Sequence, residues 1–161
     1  MKLKNYLPIC LFWIFTGCQK DDICPPGTET TPMLIIEFYD NEDPTTLKVV
    51  EDLVVFASGK EDTLIRFNTT NSVEIPLKTD ENSTEYHFIS NAGTENENED
   101  VVRFSYTPVP VYLNRACGFK IEYSNLTLTI DGKADEEWIK SEVVVHQNIE
   151  NETEAHIYFT H

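Results

Sequence analysis

The chain has 161 residues and a formal net charge of −16 at pH 7, from 28 acidic residues against 12 lysines and arginines. This charge disfavours a nucleic-acid partner and a position flat on an anionic bilayer, because both surfaces are negative. It is compatible with a cationic ligand, with divalent ions or with solubility alone, and the length suits one domain.

Residues 1–17 have the layout of a secretory signal peptide. Lys2 and Lys4 make a short basic start, and residues 6–15 form an apolar run. This run is too short to be a stable membrane span. We therefore expect residues 1–17 to be removed from the mature chain.

Cys18 follows the small residues Thr16 and Gly17, and this pattern resembles the lipobox of bacterial lipoproteins, with Phe15 in place of the usual leucine. The resemblance implies cleavage before Cys18 and acylation of its thiol, with palmitate among the acyl chains. Each CH₂ placed in the bilayer contributes about 0.8 kcal/mol, so several chains anchor firmly. An ordinary signal peptide with an incidental cysteine is the alternative.

The next residues, Lys20, Asp21 and Asp22, resemble the surface-export signal of Bacteroidota lipoproteins. A solvated charged tether is the alternative, because so short a motif is easily matched by chance. Residues 18–31 are interpreted as the lipidated N-terminus and tether. The expected location is the outer membrane, facing either the periplasm or the cell surface.

Cys24 and Cys117 are the two cysteines that remain after Cys10 leaves with the signal and Cys18 is acylated. Two thiols in an exported chain predict one disulfide, with an intermolecular bridge or a reactive thiol as alternatives. The disulfide would close a loop of about 94 residues and stabilise the fold by about 4–5 kcal/mol. It would also shorten the free tether to a reach under about 20 Å.

Residues 32–161 consist of short runs rich in β-branched and aromatic residues, separated by turn signals. Predicted strands cover residues 33–39, 53–56, 63–67, 73–77, 86–89, 101–106, 119–123, 126–130, 143–146 and 155–159. Residues 107–111 carry two prolines and are predicted to be an edge strand or a crossover. Only residues 135–140 suggest a helical turn. This spacing favours a single all-β domain, an antiparallel β-sandwich of the immunoglobulin-like or a related kind.

Several segments resemble one Bacteroidota lipoprotein family of unknown function, the domain-of-unknown-function family numbered 6452. Besides the lipobox, these are Cys24-Pro25 and the runs at residues 31–40, 75–80 and 115–119. The family has no assigned activity, ligand or catalytic residues. The resemblance implies that Cys24 and Cys117 belong to the pattern of the family.

Motifs for catalysis are missing from the sequence, which has no nucleophile elbow, phosphate-binding glycine loop, zinc-type cysteine pair or HExxH. We predict no catalytic residues, cofactor or metal. Acidic residues at 40–43, at 95–100 and at 131 with 135–137 could bind calcium, but none has EF-hand spacing, and solvated loops are favoured.

Weaker signals concern single side chains. His146 and His156 would face each other if the last two strands form a hairpin turning near Asn151, with a metal as the less favoured interpretation. Thr63, after Asp62 and before Leu64, matches a sequon similar to that of Bacteroidota O-glycosylation. The aromatic residues Trp138 and Tyr112 could stack on a sugar but are more often core.

These observations together predict a lipid-anchored envelope protein, a non-catalytic binding or interaction subunit whose partner is an envelope protein or a glycan. An assembly factor or chaperone for envelope proteins is one alternative. A secreted ion-dependent hydrolase is the other, motivated only by the acidic loops.

Overall fold

The fold is described by a computed structural model that covers residues 23–131 and 137–161. All regular secondary structure in these residues is β, and no helix among them is long and apolar enough to cross a membrane. The nine strands are β1 Leu34–Tyr39, β2 Val50–Ala57, β3 Ile65–Thr70, β4 Ser72–Ile75, β5 Ser83–Ser90, β6 Asn98–Asn114, β7 Gly118–Asp131, β8 Ser141–Val144 and β9 Ile157–Thr160.

The strands form two sheets, one of four strands in the order β4-β1-β9-β8 and one of five in the order β3-β2-β5-β6-β7. The all-β prediction is confirmed. Every strand pair is antiparallel except β1 with β9, which run parallel, so the purely antiparallel prediction is wrong at this pair. Parallel strands need a long connection, and β1 and β9 are separated by nearly the whole domain.

The core lies between the inner faces of the two sheets. Along β6, Val102, Phe104 and Tyr106 are buried while Arg103 is exposed, as the alternation of the sequence predicts. Phe88 of β5 has no exposed surface, and its ring meets that of Phe159 in the other sheet edge-to-face at 6.0 Å. This aromatic contact packs the two sheets against each other in the core.

Strands β6 and β7 extend past the rest of their sheet. Strand β5 pairs with β6 only between Asn98 and Ser105, whereas the pairing with β7 continues to Asn114. We refer to the segments 107–114 and 118–124 as the β6–β7 ribbon. Its prolines at 108 and 110 lie where, among the described strands, β6 pairs with β7 alone, as expected for an edge.

Three predicted elements differ from the structure. The predicted strands 119–123 and 126–130 are a single strand, β7, interrupted by Asn125 in the left-handed region at a φ of 57°. The suggested helical turn is not helical in its described part, residues 137–140. There Trp138 is buried, and the Ile139 N–H donates to the buried carboxylate of Asp100 at 2.8 Å.

Replacing Phe88 with alanine should lower the free energy of unfolding by about 3–5 kcal/mol, because the cavity would lie between the two sheets. The matched control is Phe119→Ala, since Phe119 is 65% exposed and should change stability by no more than about 0.5 kcal/mol. Urea unfolding measures both. Equal effects of the two substitutions would contradict this placement of the core.

Candidate functional site

The N-terminal segment is fastened to the far end of the β6–β7 ribbon. The structure joins Cys24 to Cys117 in a disulfide, with the two Cα atoms 4.8 Å apart. The turn that carries Cys117 is held by the Asn114 side chain, whose Oδ1 accepts hydrogen bonds from the N–H groups of Ala116 and Cys117 at 2.9 Å. The pairing expected from the sequence is therefore present.

Beyond the disulfide, the same segment runs along the outer edge of β7. The Ile121 N–H donates to Thr31 Oγ1 at 2.9 Å, on the side of β7 where none of the described strands pairs with it. Lys120 Nζ contacts Glu29 Oε2 at 2.7 Å and Glu122 Oε1 at 2.9 Å. The direction in which the chain leaves the domain is thus fixed at several points.

Lys120 is the buried charge of this region, with a side chain only 7% exposed. Hydrogen bonds first to Glu29 and then to Glu122 raise the pKa of its ammonium group above the usual value. A buried lysine without such partners would instead have a lowered pKa. The two carboxylates thus keep Lys120 charged. No pattern in the sequence distinguishes this lysine from the exposed ones.

The predicted lipid-attachment residue Cys18 and the export signal Lys20, Asp21 and Asp22 lie outside the described residues, as does the signal peptide. The described chain starts at Ile23, one residue before the disulfide. Lipidation and export therefore stay predictions. What the structure adds is the place on the domain where this tether would begin.

A second feature is a polar groove of about 750 Å³ lined by residues 144–148, 150, 151, 153, 154 and 156. It contains the two predicted histidines, because β8 and β9 pair as the expected antiparallel hairpin. The rings of His146 and His156 are 6.5 Å apart and meet edge-to-face.

His156 uses both ring nitrogens within the fold. Its Nδ1 accepts a hydrogen bond from the Ile35 N–H at 3.0 Å, and its Nε2 lies 3.2 Å from the Asn151 carbonyl oxygen, to which it donates. A metal would need a free nitrogen lone pair. Within residues 23–131 and 137–161, no three His, Cys, Asp or Glu side chains are grouped to hold a metal ion. His156 thus connects the hairpin to β1.

The acidic loops use their carboxylates internally. Asp40 Oδ1 accepts from the Glu42 N–H at 2.7 Å, and Asp43 accepts from the hydroxyls of Thr45 and Thr46 at 2.7 and 2.8 Å. These hydrogen bonds lower the pKa of both aspartates. In the second loop, Glu97 accepts from the Gly93 N–H. Both loops are turn-forming and exposed, which favours the solvated interpretation.

Serine, histidine and glutamate side chains approach one another on the outer face of the five-stranded sheet. Ser58 Oγ lies 3.0 Å from His87 Nε2, and His87 Nδ1 contacts Glu99 Oε1. The sequence did not reveal this group, because its members come from β5, β6 and the turn after β2. The order of contacts is that of a Ser-His-acid triad.

Two details argue against catalysis by this group. Ser58 Oγ also contacts Glu85 Oε1 at 2.7 Å, and a carboxylate can only accept, so Glu85 competes with His87 for the serine proton. An oxyanion would need free N–H donors. The N–H groups of Ser58, Gly59 and Lys60 already donate to Glu85, Glu61 and Ala57 respectively. The group therefore stabilises the sheet surface.

The remaining predicted residues have different environments. Thr63 lies exposed in the turn before β3, accessible to a modifying enzyme. Trp138 is buried, and its Nε1–H donates to the Phe88 carbonyl at 3.0 Å, so it belongs to the core. Tyr112 is exposed and meets Phe119 edge-to-face at 5.3 Å. Phe119 was not singled out, although it lies opposite Tyr112 across the 114–118 turn.

One family model matches the chain, a family of unknown function, DUF6452, over residues 52–161. No curated protein and no solved structure matches. The matched region contains two segments of the sequence resemblance, residues 75–80 and 115–119. It does not include Cys24, so the lipoprotein part of that resemblance stays a prediction.

Removing the disulfide with the pair Cys24→Ser and Cys117→Ser should lower the free energy of unfolding by about 4–5 kcal/mol. A disulfide across 93 residues restricts the unfolded chain over most of the domain. Urea unfolding of the variant, compared with the native chain with and without reductant, measures the effect. The reduced native chain should match the variant; insensitivity of the native chain to reductant would contradict the prediction.

Acidification from pH 7 to 5 should destabilise the domain through His156. Burial is the main cause that lowers its folded pKa below 6.5. The unfolded chain therefore binds the proton first, and stability present above about pH 6.5 is lost as the pH falls toward the folded pKa. Burial also lowers the pKa of His161, so protonation of this residue on acidification destabilises the domain as well.

The substitution His156→Asn isolates this effect, since an amide oxygen can accept from Ile35 without titrating. Urea unfolding at several pH values should show a smaller loss of stability on acidification than in the native chain. His146→Asn, on the exposed side of the groove, is the control and should keep the loss. An unchanged pH dependence in His156→Asn would exclude this role.

Proposed function

Since the chain belongs to the DUF6452 family, which is of unknown function, we propose its function from its own residues. The protein is a lipid-anchored component of the cell envelope, held at the outer membrane by an acyl group on Cys18. It acts as a non-catalytic binding or interaction subunit, facing the periplasm or the cell surface. Its partner is an envelope protein or a glycan.

The observation that carries the proposal is the Cys24–Cys117 disulfide together with the short sequence separation between Cys18 and Cys24. If Cys18 is acylated, only residues 19–23 separate the lipid from Cys24, which is bonded to the ribbon. Five residues span less than about 20 Å. A tether this short holds the domain beside the membrane, which suits a protein that works on envelope components.

The alternatives have less support from the described residues. A hydrolase would need a free nucleophile and oxyanion donors, and the Ser58 group provides neither. A chaperone that works by strand addition would need a long unpaired edge. Three of the four outermost strands, β3, β4 and β8, have only six, four and four residues. The fourth, β7, has fourteen, but on its outer edge the N–H groups of Ile121, Tyr123 and Leu126 already donate to Thr31, Ile149 and Gln147.

Finer assignments belong to the same proposal. The chain is a lipoprotein of the Bacteroidota, it is exported to the surface through Lys20, Asp21 and Asp22, and it is O-glycosylated at Thr63. An immunoglobulin-like or related sandwich is the proposed arrangement of the two sheets. The exposed position of Thr63 supports modification there, and the short tether is compatible with either side of the outer membrane.

The anchor can be tested in the native host by palmitate labelling and mass spectrometry. The native chain should take up label and begin at an acylated Cys18, and Cys18→Ala should lose the label. Cys10→Ala is the matched control, because Cys10 should leave with the signal peptide. An unmodified Cys18, or residues 1–17 still attached, would disprove the anchor.

Protease shaving of intact cells, applied to the same strains, distinguishes the two orientations. Cleavage of the domain would place it outside the cell, and replacement of Lys20, Asp21 and Asp22 by alanine should then protect it. Protection of the native chain would place it in the periplasm. The mass spectra also report whether Thr63 carries a glycan.

A further inference from the structure

We propose that the end of the β6–β7 ribbon is itself a membrane-binding surface, with Tyr112, Phe119 and Ile23 inserted among the lipid headgroups. This inference rests on the proposed lipid anchor, which would bring this end of the domain to the bilayer. It goes further, because it assigns the domain a fixed orientation instead of free movement on a tether.

The first support is the continuation of the core face into solvent. Directly opposed residues in an antiparallel pair share a face. Pro108 pairs with Tyr123, Pro110 with Ile121, and Tyr112 with Phe119, so the last pair lies on the face that buries Tyr123. Tyr123 is 1% exposed and Phe119 is 65% exposed. The apolar face therefore extends beyond the cover of the opposite sheet.

A second support is where exposed apolar surface is concentrated. Among the described residues, the three most exposed large hydrophobic side chains are Ile23 at 80%, Phe119 at 65% and Tyr112 at 59%. All three belong to one end of the molecule, because Ile23 precedes Cys24 and Phe119 follows Cys117 by two residues. Scattered exposure is ordinary, but clustering at one end indicates a contact surface.

Charge distinguishes residues 101–121 from the rest of the chain. The sequence has no acidic residue between Asp100 and Glu122, although 28 of its 161 residues are acidic. The turn at the end of the ribbon carries Arg115, which is exposed and can reach lipid phosphates. An anionic headgroup region would thus attract Arg115 at the turn and repel the acidic surface elsewhere in the chain.

The residue types also fit the bilayer better than a protein groove. Tyrosine places an apolar ring and a polar hydroxyl at the same depth, which suits the boundary between headgroups and acyl chains. The predicted lipid on Cys18 is six residues from the disulfide that closes this end. The tether therefore brings this surface, and not another part of the domain, to the headgroups.

The test uses the lipidated full chain in vesicles of phosphatidylethanolamine and phosphatidylglycerol, with tryptophan as a depth probe. The substitution Phe119→Trp should give emission shifted to shorter wavelength and quenched by brominated lipids. The control is Val49→Trp. Val49 is 47% exposed and precedes β2 at the sheet end opposite the ribbon, as the β2–β5 and β5–β6 registers place it. Its emission should stay at water-exposed wavelengths and be unaffected by brominated lipids.

Background from the buried Trp138 is removed by subtracting the parent protein. A second probe is Ile23→Trp, whose emission should also be quenched by brominated lipids. Adding Tyr112→Thr and Phe119→Thr to this variant should abolish the quenching, because the three side chains share one lipid contact. Water-exposed emission from Phe119→Trp in vesicles would overturn the inference. So would shielding seen in native envelopes but not in protein-free vesicles, which would identify a protein as the occupant.

Failure of the anchor and failure of this inference are distinguished in the same samples. If mass spectrometry finds no lipid on Cys18, the proposed function fails. If the lipid is present and Phe119→Trp remains in water, the anchor stands and the membrane-binding surface does not.

Discussion

The disulfide between Cys24 and Cys117 is the constraint on which the functional interpretation depends. It joins Cys24, which lies within the predicted tether 18–31, to the far end of the β6–β7 ribbon. The contacts of Thr31 with Ile121 and of Glu29 with Lys120 extend this attachment along β7. Without these contacts, the direction in which the tether leaves the domain would be undefined. With them, one end of the domain is fixed next to the tether.

Two kinds of polar arrangement coexist in the molecule, and they have different meanings. Several ionisable groups make contacts that complete local structure. Asp40 and Asp43 accept hydrogen bonds within a turn, His156 connects the hairpin to β1, and Lys120 pairs with two glutamates. The Ser58 group has the contacts of a catalytic site, but its hydroxyl proton is shared and the adjacent amides are occupied. Catalytic residue types that lie close together therefore do not make a catalytic site unless free N–H donors and a defined proton path accompany them.

Exposed apolar surface is a more direct indication of function than these polar contacts. The core face of the five-stranded sheet does not end where the opposite sheet ends, since Tyr112 and Phe119 continue it into solvent. A continuous sheet can extend an apolar face at little structural cost, because the backbone hydrogen bonds of the ribbon are satisfied by its own two strands. Residues 101–121, which include the turn of the ribbon, contain no acidic residue, and this is compatible with the proposed membrane-facing side.

Alternation and turn residues act over a few positions, so the all-β class, the position of most strands and the inward face of β6 could be predicted from the sequence. The cysteine pair could be predicted as well, with alternatives left open. The sequence did not determine that β1 and β9 are parallel, that β7 is one strand, or that Lys120 is buried. Nor did it bring Ser58, His87 and Glu99 together, or leave Phe119 uncovered while Trp138 entered the core. Those features depend on which distant segment covers each face, and only the packing of the two sheets decides this.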